Sequence, residues 1–300
     1  MSDIKLFRVG EKGAEELPRR SVGLEKSLQT LIEKNLVSLL GVRFLASEYD
    51  TGRRHKGRID TLGIDENNSP VIIEYKRADN QNVINQGLFY LDWLLDHQAE
   101  FVANVSDRLG VRVADEVDWS GPRLLCIAGD FTRYDEHAVM QIDRNIELIR
   151  YQKYGDDLLL LERVYATTTE PKRGKRKPGS TEYKTVTEAL SDASKEVKDR
   201  YDTLKGIILD FGDDVDIKTL KFYFAFRRIK NFATVCITPE KGCIYIILKV
   251  DPKSITLEPG FTRDVTEIGH MGAGGLEVAI NSDEDLNKAI PLIRKSYEVS

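Results

Sequence analysis

Two hydrophobic rhythms divide the chain. Residues 4 to 9, Ile-Lys-Leu-Phe-Arg-Val, alternate and predict a strand, whereas Leu24, Leu28, Leu31, Ile32, Leu36, Leu39 and Leu40 recur at helical spacing and predict a helix stopped by Gly41. Residues 42 to 49 form a mixed apolar segment that runs into a basic loop, Arg53-Arg54-His55-Lys56. Two strand-like runs follow, the first opening Gly57-Arg58-Ile59-Asp60 and the second Val71-Ile72-Ile73-Glu74-Tyr75-Lys76-Arg77. Helical period returns from 81 to 101 through Val83, Ile84, Leu88, Leu91, Leu94 and Leu95, after which residues 124 to 128 and 146 to 151 read as buried strands. Helices interleaved with several strands predict an α/β domain with a central mixed sheet, over residues 1 to 165.

The rhythm then lapses. Residues 166 to 184 hold two prolines and six Lys/Arg against two Glu, the composition of a basic linker. Beyond it a helical stretch (186 to 211), strand-like runs (220 to 227, 232 to 238, 243 to 250 and 276 to 280) and a last helix near 283 to 297 predict a small α+β domain over 185 to 300. The glycine-rich segment 269 to 275 precedes a strand rather than a helix and lacks Gly-Lys-Ser/Thr, so it reads as a connecting loop. The aromatics Phe222, Tyr223, Phe224 and Phe226 beside Arg227, Arg228 and Lys230 fit core packing of a strand better than a base-stacking platform.

Composition narrows the class. With 300 residues, 41% hydrophobic and 31% charged, the chain can fill two cores. No apolar run approaches a membrane span, the first residues lack an apolar signal core, and the three cysteines form no Cys-x-x-Cys pair, so a cytoplasmic protein without a zinc site is expected. A net charge of -5 argues against a generally basic nucleic-acid binder and predicts that any DNA contact depends on locally placed Lys and Arg.

The candidate chemistry lies on the paired runs. Glu-x-Lys occurs at Glu74, Glu170, Glu182 and Glu196, and only Glu74-Tyr75-Lys76 ends a β-branched apolar run. If Asp60 faces Glu74 in an antiparallel hairpin, Ile64 faces Pro70 and residues 65 to 69 are the turn. Strand period two then puts Asp60, Glu74 and Lys76 on one face, with Val71, Ile73 and Tyr75 on the other. Two carboxylates suit Mg²⁺ or Mn²⁺, which takes hard oxygens and keeps several waters; Asp60 and Glu74 are the candidate ligands, the Tyr75 carbonyl a further one, and Lys76 the group beside the attacking water.

These residues resemble the PD-(D/E)xK nuclease superfamily, and within it the NucS-like and RecB-like branch. The resemblance rests on Glu48-Tyr49-x-Thr51, Gly57-Arg58-Ile59-Asp60, Ile73-Glu74-Tyr75-Lys76-Arg77 and Gln86-x-x-x-Tyr90, and spans roughly residues 20 to 105. It implies a restriction-endonuclease-like fold, a metal-dependent DNA endonuclease of repair or phage defence, catalysis by Asp60, Glu74 and Lys76, a helix bearing Gln86 and Tyr90 that shapes the site and meets DNA, and Glu25 as an accessory metal residue. It departs from the branch in lacking the N-terminal β-sandwich and in placing Ile59, not proline, before Asp60. The second domain resembles an uncharacterised domain found at the end of such predicted nucleases. Lys56, Arg58 and Arg77 are candidate phosphate contacts, for which a solvated loop is the competing reading. A surface ion cluster competes for Asp60, Glu74 and Lys76, half-buried packing for Tyr90, and an exposed helix charge for Glu25. A homodimer fits a two-strand cut, which uses two sites. Cleavage of RNA or single strands, and a non-cleaving nucleic-acid- or protein-binding module on the same fold, remain the alternatives.

Overall fold

One turn sets the register of the first half of the molecule. In the computed structural model, which describes residues 4–11, 13–20, 25–76, 82–155, 157–167, 184–268 and 274–300, the Asp65 carboxylate accepts the amides of Asn67 (2.8 Å) and Ser69 (2.9 Å), and Asn68 adopts φ 59°. Asx chemistry of this kind closes a hairpin without glycine. It pairs Ile64 with Pro70 and continues to Thr61 with Ile73, the register the turn sequence predicts.

The chain divides into two compact units, Met1–Thr169 and Glu170–Ser300. Of the predicted linker, Ala166 ends a strand, and residues 168–183 lie outside the described residues. In chain order the first unit contains β1 (Leu6–Gly10), β2 (Gly13–Leu17), β3 (Arg19–Arg20), α1 (Glu25–Lys34), α2 (Leu36–Leu40), β4 (Val42–Asp50), α3 (Gly52–His55), β5 (Arg58–Asp65), β6 (Pro70–Lys76), α4 (Asn82–Asp96), α5 (Gln98–Leu109), α6 (Val111–Asp115), β7 (Arg123–Ala128), α7 (Arg133–Met140), β8 (Asn145–Tyr154) and β9 (Leu158–Ala166). Among the described residues, β1 and β2 form a separate hairpin, and the other strands form a seven-stranded sheet of order β3-β8-β7-β6-β5-β4, with β9 also on β8. β4, β5 and β6 pair antiparallel, while β6, β7 and β8 pair parallel, so the sheet is mixed. Helices flank it: α4 lies over β6 and β7, and Ile64, Ile72 and Leu124 share a core with Leu91, Trp93 and Leu94 of that helix.

The expected long helices are each broken. The run from Leu24 to Leu40 is interrupted at Asn35, whose φ is -123° and whose side-chain amide donates to the Leu31 carbonyl (2.9 Å). The run from 81 to 101 breaks at His97, and the chain restarts as α5. Neither break carries glycine or proline, so apolar spacing reads straight through both. β4 carries a bulge between Phe44 and Ala46, opposite Gly63. A Cβ at Gly63 would stand 2.5 Å from Val42 Cγ1 and 2.8 Å from the Arg43 carbonyl oxygen, which is why the bulge needs glycine there.

The second unit holds α8 (Val186–Asp192), α9 (Lys195–Leu209), β10 (Asp216–Thr219), β11 (Phe224–Arg227), β12 (Asn231–Thr238), β13 (Cys243–Leu248), β14 (Thr262–Asp264), β15 (Leu276–Ile280) and α10 (Asp283–Glu298). Its six-stranded antiparallel sheet runs β10-β11-β12-β13-β15-β14. Phe224, Phe226, Val235, Ile244, Ile246 and Val278 pack in one core with Leu204, Ile208, Leu286 and Ile293 from the helices. Phe224 and Phe226 therefore fill a core. The expected run 220 to 227 is split by a turn in which the Leu220 amide donates to the Tyr223 carbonyl (3.0 Å), and residues 269–273 of the glycine-rich loop lie outside the described residues.

At the end of the first sheet where β7 begins, Arg123 is buried between Asp65 (Nη1 to Oδ2, 2.9 Å) and Glu147 (Nη2 to Oε1, 2.8 Å). Removing the cation leaves two buried carboxylates facing each other. Arg123→Ala should destabilise the protein by about 3 to 5 kcal/mol, read from denaturant unfolding. A loss below about 1 kcal/mol would contradict this account.

Candidate functional site

Beyond Thr61 and Ile73 the β5–β6 ladder stops and side chains take over. The Asp60 amide donates to Glu74 Oε1 (3.2 Å), and the Tyr75 amide donates to Asp60 Oδ2 (2.9 Å). Each carboxylate thus caps the main chain of the opposite strand. Three sequence-predicted residues, Asp60, Glu74 and Lys76, stand together at this frayed end, where β6 still pairs in parallel with β7, Glu74 facing Cys126 and Lys76 facing Ala128. Val71, Ile73 and Tyr75 are fully buried, and the Tyr75 hydroxyl meets the Thr61 hydroxyl at 3.3 Å on the face toward α1.

Electrostatics sets the two acids apart. Glu74 is 0% exposed, and burial, reinforced by the Asp60 charge, pushes its pKa up to about 9. Its Oε2 has no hydrogen-bond partner. Burial and the neighbouring Asp60 charge thus favour the protonated form of this carboxyl group at neutral pH. Burial also raises Asp60, with the Tyr75 amide and the Lys76 charge pulling the other way. Burial opposes the Lys76 charge, yet its ion pair with Glu25 (3.2 Å) leaves the ammonium pKa raised.

Asp60 lines an open cleft of about 840 Å³ together with Glu48, Asp50, Gly52, Lys56, Gly57, Arg58, Gln86 and Tyr90. Glu74 is not among these residues and meets the cleft-lining Asp60 through the Asp60 amide. The Thr51 hydroxyl and the main chain of Gly57 bond each other (2.9 and 3.0 Å), closing the loop that carries Lys56, which adopts φ 48°. Tyr90 is buried at 5% exposure and its hydroxyl accepts from the Arg58 amide (3.1 Å) and from Gln86 Nε2 (3.3 Å). A Cβ on Gly57 would lie 2.4 Å from the Tyr90 ring, so the absence of a side chain there lets the ring sit under β5. Tyr90 and Gln86 thereby hold the start of the strand that bears Asp60. Arg58 is exposed, and its guanidinium lies 3.6 Å from Glu48, whose other oxygen takes Lys26 Nζ at 2.6 Å. The Lys26 hydrogen bond lowers the Glu48 pKa.

Other expected residues are placed elsewhere. Arg77 lies outside the described residues. The Glu25 carboxylate goes to Lys76, and among the described residues no group of three or more His, Cys, Asp or Glu could hold a metal ion. Asp60 and Glu74 are the two oxygen donors that could face a hard cation, and the Glu74 oxygen without a hydrogen-bond partner is compatible with one. His55 packs in an aromatic group with Phe89 (5.2 Å) and His97 (5.8 Å), and His97 stacks on Trp93 (4.7 Å). Sequence reasoning missed Gln29, a polar residue between Leu28 and Ile32 on the apolar face of α1. That interruption was its only signal.

A model for a domain of unknown function, DUF5655, matches residues 186–300. An uncharacterized protein of Haemophilus influenzae is 30% identical over 310 residues, covering 98% of this chain and all of that protein. Among solved structures, a repair endonuclease from Pyrococcus abyssi aligns at 18% identity and TM-score 0.28 over 44% of this chain and 49% of that one. An EndoMS–dsDNA complex aligns at 16% identity and TM-score 0.25 over 46% of this chain and 54% of that one. The chain thus spans about half the length of these solved chains, and TM-scores this low define no shared fold. Among the described residues no helix is long and apolar enough to cross a membrane.

The raised Glu74 pKa makes stability depend on pH. Between the ordinary glutamate value of 4.5 and about 9 the unfolded chain releases a proton that the folded one keeps, so stability falls as pH rises through that window. Glu74→Gln cannot ionise, and in EDTA at pH 8 it should melt on the order of 5 °C above wild type. The difference should close as pH falls below 4.5, where both states of wild type are protonated. Equal melting curves at pH 8 would mean that Glu74 is not held protonated.

Proposed function

We propose that this chain, which belongs to the same family as the Haemophilus influenzae protein, is a metal-dependent nuclease that hydrolyses phosphodiester bonds of DNA. The observation that carries this reading is the buried Glu74 carboxyl group, one oxygen of which has no hydrogen-bond partner, beside Asp60, which lines an open cleft together with Lys56 and Arg58. Asp60 and Glu74 would hold Mg²⁺ or Mn²⁺. When bound, the cation neutralises phosphate charge and lowers the pKa of a coordinated water. The Tyr75 carbonyl is the proposed third protein oxygen.

The residues of the chain divide the remaining work. Lys76, turned from Glu25 toward the scissile phosphate, places an ammonium against the charge that builds on the non-bridging oxygens and orients the attacking water. Arg58 and Lys56, at the cleft mouth, contact flanking phosphates, with Arg58 exchanging Glu48 for the nucleic acid. Gln86 and Tyr90 act from behind, fixing the Arg58 main chain two residues from Asp60. With only a few such cations, binding should be weak and its salt dependence shallow, because the slope scales with the number of phosphates neutralised. A cut through both strands would use two copies of the site, and a symmetric dimer supplies them.

The test is cleavage of supercoiled plasmid, of branched, mismatched and single-stranded DNA oligonucleotides and of RNA, in Mg²⁺, Mn²⁺ or EDTA. Wild type should cut at least one DNA form only with metal, and Lys76→Ala should lose at least about 100-fold in rate. Metal-independent cutting, or a Lys76→Ala variant as active as wild type, would overturn the assignment. Binding without cutting under every condition would favour a non-cleaving module instead.

A further inference from the structure

We propose that Gln29 is the positioning residue of the site, through which α1 fixes the main chain of Asp60 and hence the place of its carboxylate. The proposal rests on the reading of Asp60 and Glu74 as the metal-holding pair only for its metal readout.

Gln29 is 4% exposed, among Leu28 and Ile32 at 1% and 0%. A primary amide in that position is costly unless every polar atom is engaged. Its Nε2 lies 2.6 Å from the Asp60 carbonyl oxygen, 3.0 Å from Glu33 Oε1 and 3.2 Å from Ser47 Oγ. Its Oε1 accepts from Lys26 Nζ at 3.2 Å. The two ends of the amide cannot be exchanged, because an ammonium only donates while a carbonyl and a carboxylate only accept. The shortest contact goes to Asp60, the residue whose carboxylate caps the Tyr75 amide.

The neighbours of Gln29 on α1 extend the same grip. Glu25, Gln29 and Glu33 follow at four-residue intervals and so share one helix face. Glu25 takes Lys76 (3.2 Å), Gln29 takes Asp60, and Glu33 accepts from the Thr61 hydroxyl (2.6 Å), which in turn meets Tyr75. Lys26, beside them, ties Glu48. Glu48 itself has φ 52°, in a strand whose register continues from Ser47 opposite Thr61 to Tyr49 opposite Ile59. One polar stripe of one helix therefore meets both strands of the hairpin, at Asp60 and Thr61 on β5 and at Lys76 on β6. A core that needed only filling would place an apolar side chain at position 29.

The experiment compares wild type with Gln29→Met and with Gln29→Glu, which keeps the shape of the side chain without its donors; Ser47→Ala, which removes a different Gln29 contact, is the control. Amide hydrogen exchange and Mn²⁺ binding by electron paramagnetic resonance are the readouts. Both Gln29 variants should speed exchange of the Asp60 and Tyr75 amides about tenfold while leaving Leu125 and Ile149 unchanged. They should also weaken Mn²⁺ binding about tenfold, with Ser47→Ala close to wild type. Unchanged exchange at Asp60 and Tyr75, or acceleration spread evenly over the sheet as a structural role gives, would overturn the proposal. Local acceleration in a protein whose wild type binds no Mn²⁺ would uphold Gln29 as the positioning residue and remove the metal reading.

Discussion

Everything at this site follows from two carboxylates standing where a β-ladder should be. Asp60 and Glu74 each cap the amide of the facing strand, so the hairpin stays joined at the point where its main chains stop pairing. The exchange constrains both acids to specific positions at once. It also makes them mutual neighbours, with Glu74 fully buried, where a second negative charge is expensive. Burial and the Asp60 charge accordingly raise the Glu74 pKa, and one of its oxygens has no hydrogen-bond partner.

That tension explains the apparatus around the hairpin. Cations are kept close but occupied: Lys76 on Glu25, Lys26 on Glu48, Arg58 near Glu48. The pairs of Lys26 and Arg58 are solvent-exposed and worth little in stability, so they can be exchanged for another anion at small cost. The fixed parts are buried and neutral: the Tyr90 hydroxyl under the Arg58 amide, and the Gln29 amide on the Asp60 carbonyl. Rigid neutral contacts thus set position, and exposed charged ones remain free to rearrange.

The hairpin was legible because local chemistry specifies it. Asp65 to Ser69 is a turn by its own side-chain hydrogen bonds, and from the Ile64–Pro70 pair the period of two leads to Asp60 and Glu74. The helix breaks at Asn35 and His97 were not legible, since apolar spacing continues across both and no proline or glycine marks them. β2, Gly-Ala-Glu-Glu-Leu, is exposed apart from a half-buried Leu17 and offers no alternation to detect. Gln29 escaped for a different reason. On a helical pattern a buried amide looks like a defect in the apolar face, and only the fold shows that it meets a main-chain carbonyl from a strand far along the sequence.

β6 pairs antiparallel with β5 through a short turn on one side and parallel with β7 on the other, and the chain reaches β7 only after α4, α5 and α6. Loop closure of the first kind is fast and of the second slow, because the longer crossover must be ordered before its contacts form. The two acids therefore belong to the segment of the sheet with the lowest contact order. By contact order, Asp60 and Glu74 can meet within a local hairpin before the more distant β7 pairs with the strand that carries Glu74.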